Sequence, residues 1–366
     1  MTAILTEKQS IHIMQRQTEL KNWLAQCYPN QSFELAFAAA DADFRRYFRA
    51  VFADGSSVIC MDAPPDKMQT APYVRVQQLF QMLNVPQILH HSPEQGFMVL
   101  NDLGDVQYLK AMQHDPSPDA HKALLLEAVD ELIVLQQASR AGCLEEYSRE
   151  ILLREMNLFP EWFVGKELGK TLNFAQRRLW QQGTETLLDA IAEQPKVFVH
   201  RDFIVRNLML TRGRPGVLDF QDALYGPITY DLVSLTRDAF IEWDEEFTLD
   251  IVIRYWEKAR RRIARAGRVR HVLPLVRMDG RSAAFESGRH FRAAVVSRRQ
   301  RQIPPRNPAL FELPASHHPP LHRISTALCP AVGTGGRRRI ANGLYVLIFE
   351  PKKAACVFQN RSAGCF

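Results

Sequence analysis

Residues 197–210 read VFVHRDFIVRNLML. Val197, Phe198 and Val199 form one apolar run and Leu208, Met209 and Leu210 another, each with the character of a short buried strand. Between them stand His200, Arg201, Asp202, Arg206 and Asn207. A turn between strands is polar in any protein, and Asp and Asn favour turns because their side chains bond nearby backbone. That explains the polarity but not the spacing. His200, Asp202 and Asn207 fit H-x-D-x-x-x-x-N, and twelve residues after Asn207 comes Asp219, in Val217-Leu218-Asp219-Phe220. Phosphoryl transfer needs a group that orients the attacking hydroxyl and takes its proton, and oxygen ligands that hold Mg2+ against a triphosphate. Asp202 is the candidate base. Asn207, through its amide oxygen, and Asp219, through its carboxylate, are the candidate Mg2+ ligands, hard donors for a hard ion.

The totals frame this motif. The chain has 366 residues, enough for two compact units. It has no apolar run of eighteen residues, so no transmembrane span is expected. The start lacks the layout of a signal peptide. Six cysteines are scattered without a C-x-x-C pair, so neither a zinc site nor a disulfide framework is suggested, and a reducing cytoplasm fits. The net charge of +6 is unevenly spread. Residues 261–366 hold about 20 Lys/Arg against about 4 Asp/Glu, which leaves the preceding 260 residues acidic. No nucleic-acid partner is therefore expected for the body of the protein, and no membrane partner; a basic tail would bind nucleic acid only nonspecifically.

Along the chain, residues 1–13 read as a loosely attached extension, and translation from Met14 is one reading. From Met14 a helical stripe carries Leu20, Trp23, Leu24 and Tyr28. Residues 33–65 switch to strand character: Phe33–Phe37, Tyr47–Phe52 and Val58–Met61, with an Asp54-Gly55 turn before the third strand and Pro64-Pro65 after it. A helix over 72–83 and two short strands (VPQILH and GFMVLNDL) complete a small sheet-rich unit over 14–104. Helical patterns dominate 105–260: residues 123–139, a continuous segment LLREMNLFPEWFVGKEL, FAQRRLWQQGTETLLDAIAEQ, then TYDLVSLTRDAFIEW and EFTLDIVIRYWEKARRR. Strands flank Arg212-Gly213-Arg214-Pro215-Gly216, and the run Val197–Val199 is expected to join them in fixing the polar loop. Beyond about residue 260 the periodicity lapses, apart from GLYVLIF (343–349), and Arg and Pro accumulate. A reading frame shifted near residue 260 accounts for so abrupt a change within a helix; a disordered basic tail is the alternative.

The stretches AAADADFRRYFR (38–49), MDAPPDK (61–67), VLNDLG (99–104), LFPEWF (158–163), HRDFIVRNLM (200–209) and GVLDFQDALYGPITYDLVSL (216–235) resemble the aminoglycoside-phosphotransferase-like branch of the protein-kinase-like fold. Within it they are most similar to the bacterial N-acetylmuramate/N-acetylglucosamine anomeric kinases of peptidoglycan recycling. The resemblance covers about 14–260 and implies an α+β, two-lobed architecture, with a small antiparallel-sheet N-lobe and a larger helical C-lobe. It implies ATP and Mg2+ as cofactors, an amino-sugar substrate and a monomer. It makes Asp202 the base, Asn207 and Asp219 the metal ligands, and His200 and Asp231 structural supports of the loop. The segment containing Ala40, Asp41, Phe44, Arg45 and Arg46 becomes the cover over the nucleotide phosphates, with Arg49 a further candidate, and backbone near Leu100, Asn101, Asp102 and Leu103 becomes the adenine hinge. Trp162, Phe163, Gln221 and Asp222 become candidates for the sugar pocket.

Two positions depart from the wider family's pattern. Ile204 stands where many relatives have a His two residues after the base. Met61 stands where the third strand usually carries a phosphate-binding Lys, leaving Lys67 or an arginine to replace it. An aminoglycoside- or choline-type phosphotransferase is the nearest rival reading. A catalytically dead nucleotide binder with a damaged C-terminus is the rival of a different class.

Overall fold

Strand alternation in the first hundred residues builds one sheet. The computed structural model describes residues 7–40, 44–238 and 240–263; Asp41 and the basic segment, with its two readings, lie outside them. Strands β1 (Phe33–Ala40), β2 (Arg46–Phe52), β3 (Ser57–Asp62), β4 (Ile88–Ser92) and β5 (Phe97–Asn101) form an antiparallel sheet in the order β1-β2-β3-β5-β4. Along β2, Phe48, Ala50 and Phe52 turn inward while Arg49 and Val51 turn out, the period of a half-buried strand. The inward side chains pack with Val58, Cys60, Phe97 and Val99 against Leu20 and Leu24 of helix α1 (Glu7–Cys27), flanked by Trp23 and Tyr28. The stripe read from the sequence is therefore the face α1 lays on the sheet. The helix itself starts at Glu7, within the segment expected to be an extension.

A buried ionic cluster fastens α1 to β3. Asp62 is fully buried and accepts Arg16 Nη2 at 2.5 Å, and on its other oxygen Arg46 Nη2. Arg16 also donates to Gln95 O at 2.7 Å and lies over the Phe97 ring. Gly96, at φ +70°, closes the β4–β5 turn; a Cβ there would lie 1.9 Å from Ala63 O, so only glycine fits.

The remaining elements are mostly helical: α2 (Ala71–Leu79), α3 (Tyr108–His114), α4 (Pro118–Gln137), α5 (Arg149–Met156), a π-helical stretch (Phe159–Glu167), α6 (Phe174–Ala192), α7 (Tyr230–Thr236) and α8 (Glu245–Arg262). Helix α4, capped by Ser117 with Pro118 at its first turn, packs against α7 and α8. Gln136 joins the layers by accepting from Tyr255 Oη at 2.7 Å and donating to Ile228 O at 2.9 Å.

Three sequence expectations change here. The segment expected as one helix over 152–168 breaks after Met156, because Pro160 has no N–H for the ladder; the chain continues with wider i→i−5 bonding, as in Leu168 N to Phe163 O. The helix expected over 229–243 stops at Thr236. Two residues later the Asp238 carboxylate accepts Phe240 N at 3.0 Å and Val205 N at 3.2 Å, an alternative for the backbone that turns the chain away. Finally, Val197–Val199 does not pair with Leu208–Met209. It belongs to β6 (Lys196–Val199), which pairs with β9 (Leu224–Pro227), whereas β7 (Leu208–Met209) pairs with β8 (Gly216–Val217). The polar loop spans two ribbons.

Removing Asp62 leaves two largely buried guanidinium groups without their shared anion. Asp62→Ala is expected to lower the free energy of unfolding by about 3 kcal/mol or more, the usual penalty for breaking a buried ion pair from one side. A urea titration of both proteins measures it; a loss under about 1 kcal/mol would show that water or Gln95 O compensates.

Candidate active site

The loop from His200 to Asn207 is held from beneath before its side chains do anything. Arg201 adopts φ +76°, a left-handed conformation uncommon for a residue with a Cβ. The bend turns two successive amides toward one acceptor: His200 N and Arg201 N donate to Asp231 at 2.7 and 3.0 Å. Asp231 is buried in the first turn of α7, and that burial pushes its carboxyl up to about 7, despite the two amide donors, which lower it. The Arg201 side chain runs inward. It donates to Glu155 Oε1 of α5 at 2.5 Å and to Asp222 O at 3.3 Å. Glu155 also accepts from Tyr147 Oη, which contacts Tyr230 Oη at 3.0 Å.

His200 is buried, which lowers its pKa and keeps the ring neutral at pH 7. Its Nε2 meets Leu218 O at 2.9 Å, and its Nδ1 faces the amide of Asp202 at 3.3 Å. A backbone carbonyl accepts only, so the proton sits on Nε2. His200 thus ties the loop to the strand end that leads into Asp219.

With Phe203 and Val205 buried beneath the loop, Asp202, Asn207 and Asp219 are left half-buried. The Asn207 side chain donates Nδ2 to Asp202 O at 2.9 Å, which turns its amide oxygen the other way. Leu218 N donates to Asn207 O at 2.9 Å, bringing the segment before Asp219 alongside. Asp219 has φ +63° and accepts Gln221 Nε2 at 2.7 Å. Phe220 fixes its neighbour by burying its ring against Tyr73 of α2, centroids 4.8 Å apart, and Phe80 at 6.1 Å. An oriented amide oxygen and a carboxylate are an oxygen donor set that fits a hard divalent ion. No group of three or more His, Cys, Asp or Glu that could hold a metal occurs among the described residues, so any such ion would need other oxygens, such as those of a phosphate.

The sheet meets this loop through the β7–β8 hairpin. Leu210 N donates to Val106 O and Val217 N to Asn84 O, both at 2.8 Å. Gly216 leaves room for Leu103; a Cβ there would lie 2.9 Å from Leu103 Cδ1. The candidate hinge thus rests on the hairpin. Leu100 and Asn101 end β5, and Asn101 Oδ1 accepts Gln87 N at 2.6 Å.

The candidate phosphate-side residues separate. Arg49 is held by Asp102 (2.6 and 3.1 Å) and Arg46 by Asp62, so both are committed to carboxylates of the small lobe. Phe44 is exposed and Arg45 is buried, reaching Asp219 Oδ1 at 3.7 Å. Ala40 ends β1. Lys67 is half-exposed beside Asp66, at 3.2 Å. Among the candidate pocket residues, Gln221 touches Asp219 and Asp222 is exposed. Trp162 and Phe163 are half-buried on the π-helical stretch, where Phe163 belongs to a stack with Phe159 and Trp180. Sequence reading missed Glu155, Asn84 and Tyr73. Each lies far along the chain from its partner and sits in an ordinary helix or loop pattern.

The model of the phosphotransferase enzyme family matches residues 34–265. The chain belongs to that family. It is 71% identical over 247 residues to the N-acetylmuramate/N-acetylglucosamine kinase of Neisseria meningitidis, covering 68% of this chain and 74% of the relative. It is 41% identical over 253 residues to the enzyme of the same name from Pseudomonas aeruginosa, covering 66% and 73%. Among solved structures, an ADP-bound aminoglycoside phosphotransferase superposes with TM-score 0.53 at 16% identity, covering 75% of this chain and 89% of that one. A choline/ethanolamine kinase family protein from Mesorhizobium loti superposes with TM-score 0.54 at 14% identity, covering 82% and 96%. These two likenesses show the α+β, two-lobed kinase-like fold. No helix among the described residues is long and apolar enough to cross a membrane.

Asp231 carries a pH signature. Its folded pKa of about 7 lies above the ordinary 3.8, so its contribution to stability is complete below about pH 4 and is lost as pH rises through about 7. Relative to Asp231→Asn, the native protein is expected to lose stability across that window. Urea midpoints of both proteins at half-unit pH steps measure this; parallel curves would place the Asp231 proton equilibrium elsewhere.

Proposed function

We propose that this chain transfers the γ-phosphoryl group of ATP to the anomeric C1 hydroxyl of N-acetylmuramate and N-acetylglucosamine. The products are sugar α-1-phosphates, and the place of the reaction is the recycling of peptidoglycan sugars in the cytoplasm by a monomeric enzyme. The observation that carries the reading is the grouping of Asp202, Asn207 and Asp219 around one clamped loop, in a chain 71% identical to a kinase named for these two sugars.

The placement of these residues supports the roles proposed for them. Asp202 is half-buried on the clamped loop, and its carboxylate accepts the proton of the attacking hydroxyl. An anomeric hydroxyl is more acidic than other sugar hydroxyls, so a carboxylate is a sufficient base. Asn207, its amide turned by the bond to Asp202 O, and Asp219 are the residues that would hold Mg2+. When bound, that ion neutralises charge on the β- and γ-phosphates of ATP. Gln221, bonded to Asp219, keeps that carboxylate in place. The hinge around Leu100–Leu103 offers backbone groups to adenine. Trp162 and Phe163 offer aromatic surface to the sugar. Since the protein forms no covalent intermediate in this scheme, most of the rate enhancement comes from positioning and charge.

The test is a phosphorus NMR assay with MgATP and, separately, N-acetylmuramate, N-acetylglucosamine and an aminoglycoside. A C1-phosphate signal is expected with both amino sugars and none with the aminoglycoside. Asp202→Asn is expected to lower turnover by roughly 10²–10⁴-fold, the usual contribution of a positioned base, and EDTA is expected to abolish it. Phosphate on another hydroxyl would remove the anomeric assignment. No transfer to either sugar by a folded protein that binds ATP would remove both sugars as acceptors.

A further inference from the structure

We propose that Arg45 is the cation that contacts the β- and γ-phosphates of ATP, the task for which the central strand of the small lobe offers no lysine. The inference rests on the phosphoryl-transfer reading above and names a further residue of the same site.

Kinase-like sites place a fixed cation from the small lobe over the triphosphate, opposite the metal-binding carboxylate. In this chain β3 ends Cys60-Met61-Asp62. Met61 is buried and apolar, and Asp62 is an anion already shared by Arg16 and Arg46. The strand therefore brings no positive charge to the cleft. The nearby cations sort by where their side chains reach. Arg46 is held by Asp62, and Arg49 by Asp102 with a further bond to Gly104 O at 2.8 Å. Lys67 sits on a half-exposed turn beside Asp66. Arg45 differs from all of these. It enters from the segment joining β1 to β2, is only 5% exposed, and points its guanidinium across the lobes to Asp219.

The 3.7 Å separation from Asp219 Oδ1 is that of an ion pair outside hydrogen-bonding range. Asp219 is the carboxylate that would hold the metal, which would supply charge neutralisation to the triphosphate. A guanidinium 3.7 Å from that carboxylate is within reach of a triphosphate bound beside it. Its planar fork suits two phosphate oxygens at once, which a lysine ammonium does not match. Burial favours the task further, because little rotamer freedom is left to lose on binding.

The experiment is isothermal titration calorimetry of the full-length chain with MgATP, MgADP and adenosine. It compares the native protein with Arg45→Gln and with Lys67→Gln as the control, each checked for folding by circular dichroism. Arg45→Gln is expected to bind MgATP roughly 10- to 100-fold more weakly, the worth of a charge-assisted contact, with adenosine affinity unchanged. Lys67→Gln is expected to match the native protein. If Arg45→Gln does not fold, Arg45→Met keeps the apolar stem without the charge and carries the same expectation. MgATP affinity within twofold of native in a folded Arg45 variant, or an equal loss for adenosine, would overturn the proposal. So would a loss confined to Lys67→Gln. If the native protein binds MgATP but phosphorylates neither sugar, the acceptor assignment fails while the titrations still decide Arg45. If it binds no nucleotide, both fail.

Discussion

The carboxylate of Asp231 accepts two neighbouring backbone amides, His200 N and Arg201 N, and the organisation of the site rests on that double bond. In extended backbone two adjacent N–H groups point apart. They converge here because Arg201 takes a positive φ, a conformation that costs of order 1–3 kcal/mol for a residue with a side chain. The buried carboxylate offsets that strain, and the Arg201–Glu155 pair holds the side chain that the bend turns inward. Once the backbone is set, Phe203 and Val205 fall into the core and Asp202 is left half-buried. An alternating strand would have placed Asp202 according to the pleat; a pinned, left-handed corner places it according to α7.

The same economy governs the arginines of the small lobe. Arg45, Arg46 and Arg49 lie within five residues, yet each meets a different carboxylate: Asp219, Asp62 and Asp102. The first spans the two lobes, the second binds the sheet to α1, and the third binds β2 to the segment after β5. Burial makes the Arg46–Asp62 pairing a structural obligation, since a desolvated guanidinium without its anion is far more costly than an exposed one.

Much of this architecture was legible in the chain. Strand and helix periods located the sheet, α1, α4, α6 and α8 because those elements bury one face against a single neighbour, and such burial leaves a regular stripe. The H-x-D-x-x-x-x-N spacing with Asp219 marked the candidate site because those residue types at those intervals are what phosphoryl transfer calls for. Boundaries were read less well where something other than propensity ended the element. Pro160 rewound one helix into a π-helical stretch, Asp238 stopped another, and Glu7 rather than Met14 begins α1.

The sequence by itself determined what is local: which segments are strands and helices, which face of each is apolar, and that an acid, an amide and a second acid recur at a spacing suited to phosphoryl transfer. Tertiary structure alone decided partners. Nothing near Val197–Val199 in the chain says that it pairs with Leu224–Pro227 rather than with Leu208–Met209. Nothing near Arg201 points to Glu155, 46 residues earlier, and nothing in FRRYFR separates the arginine that reaches Asp219 from the two that stay in the sheet. The physical reason is the same in each case. Periodicity reports that a side chain is buried, but the group it is buried against is set by how distant elements pack, and a one-dimensional pattern carries no record of that distance.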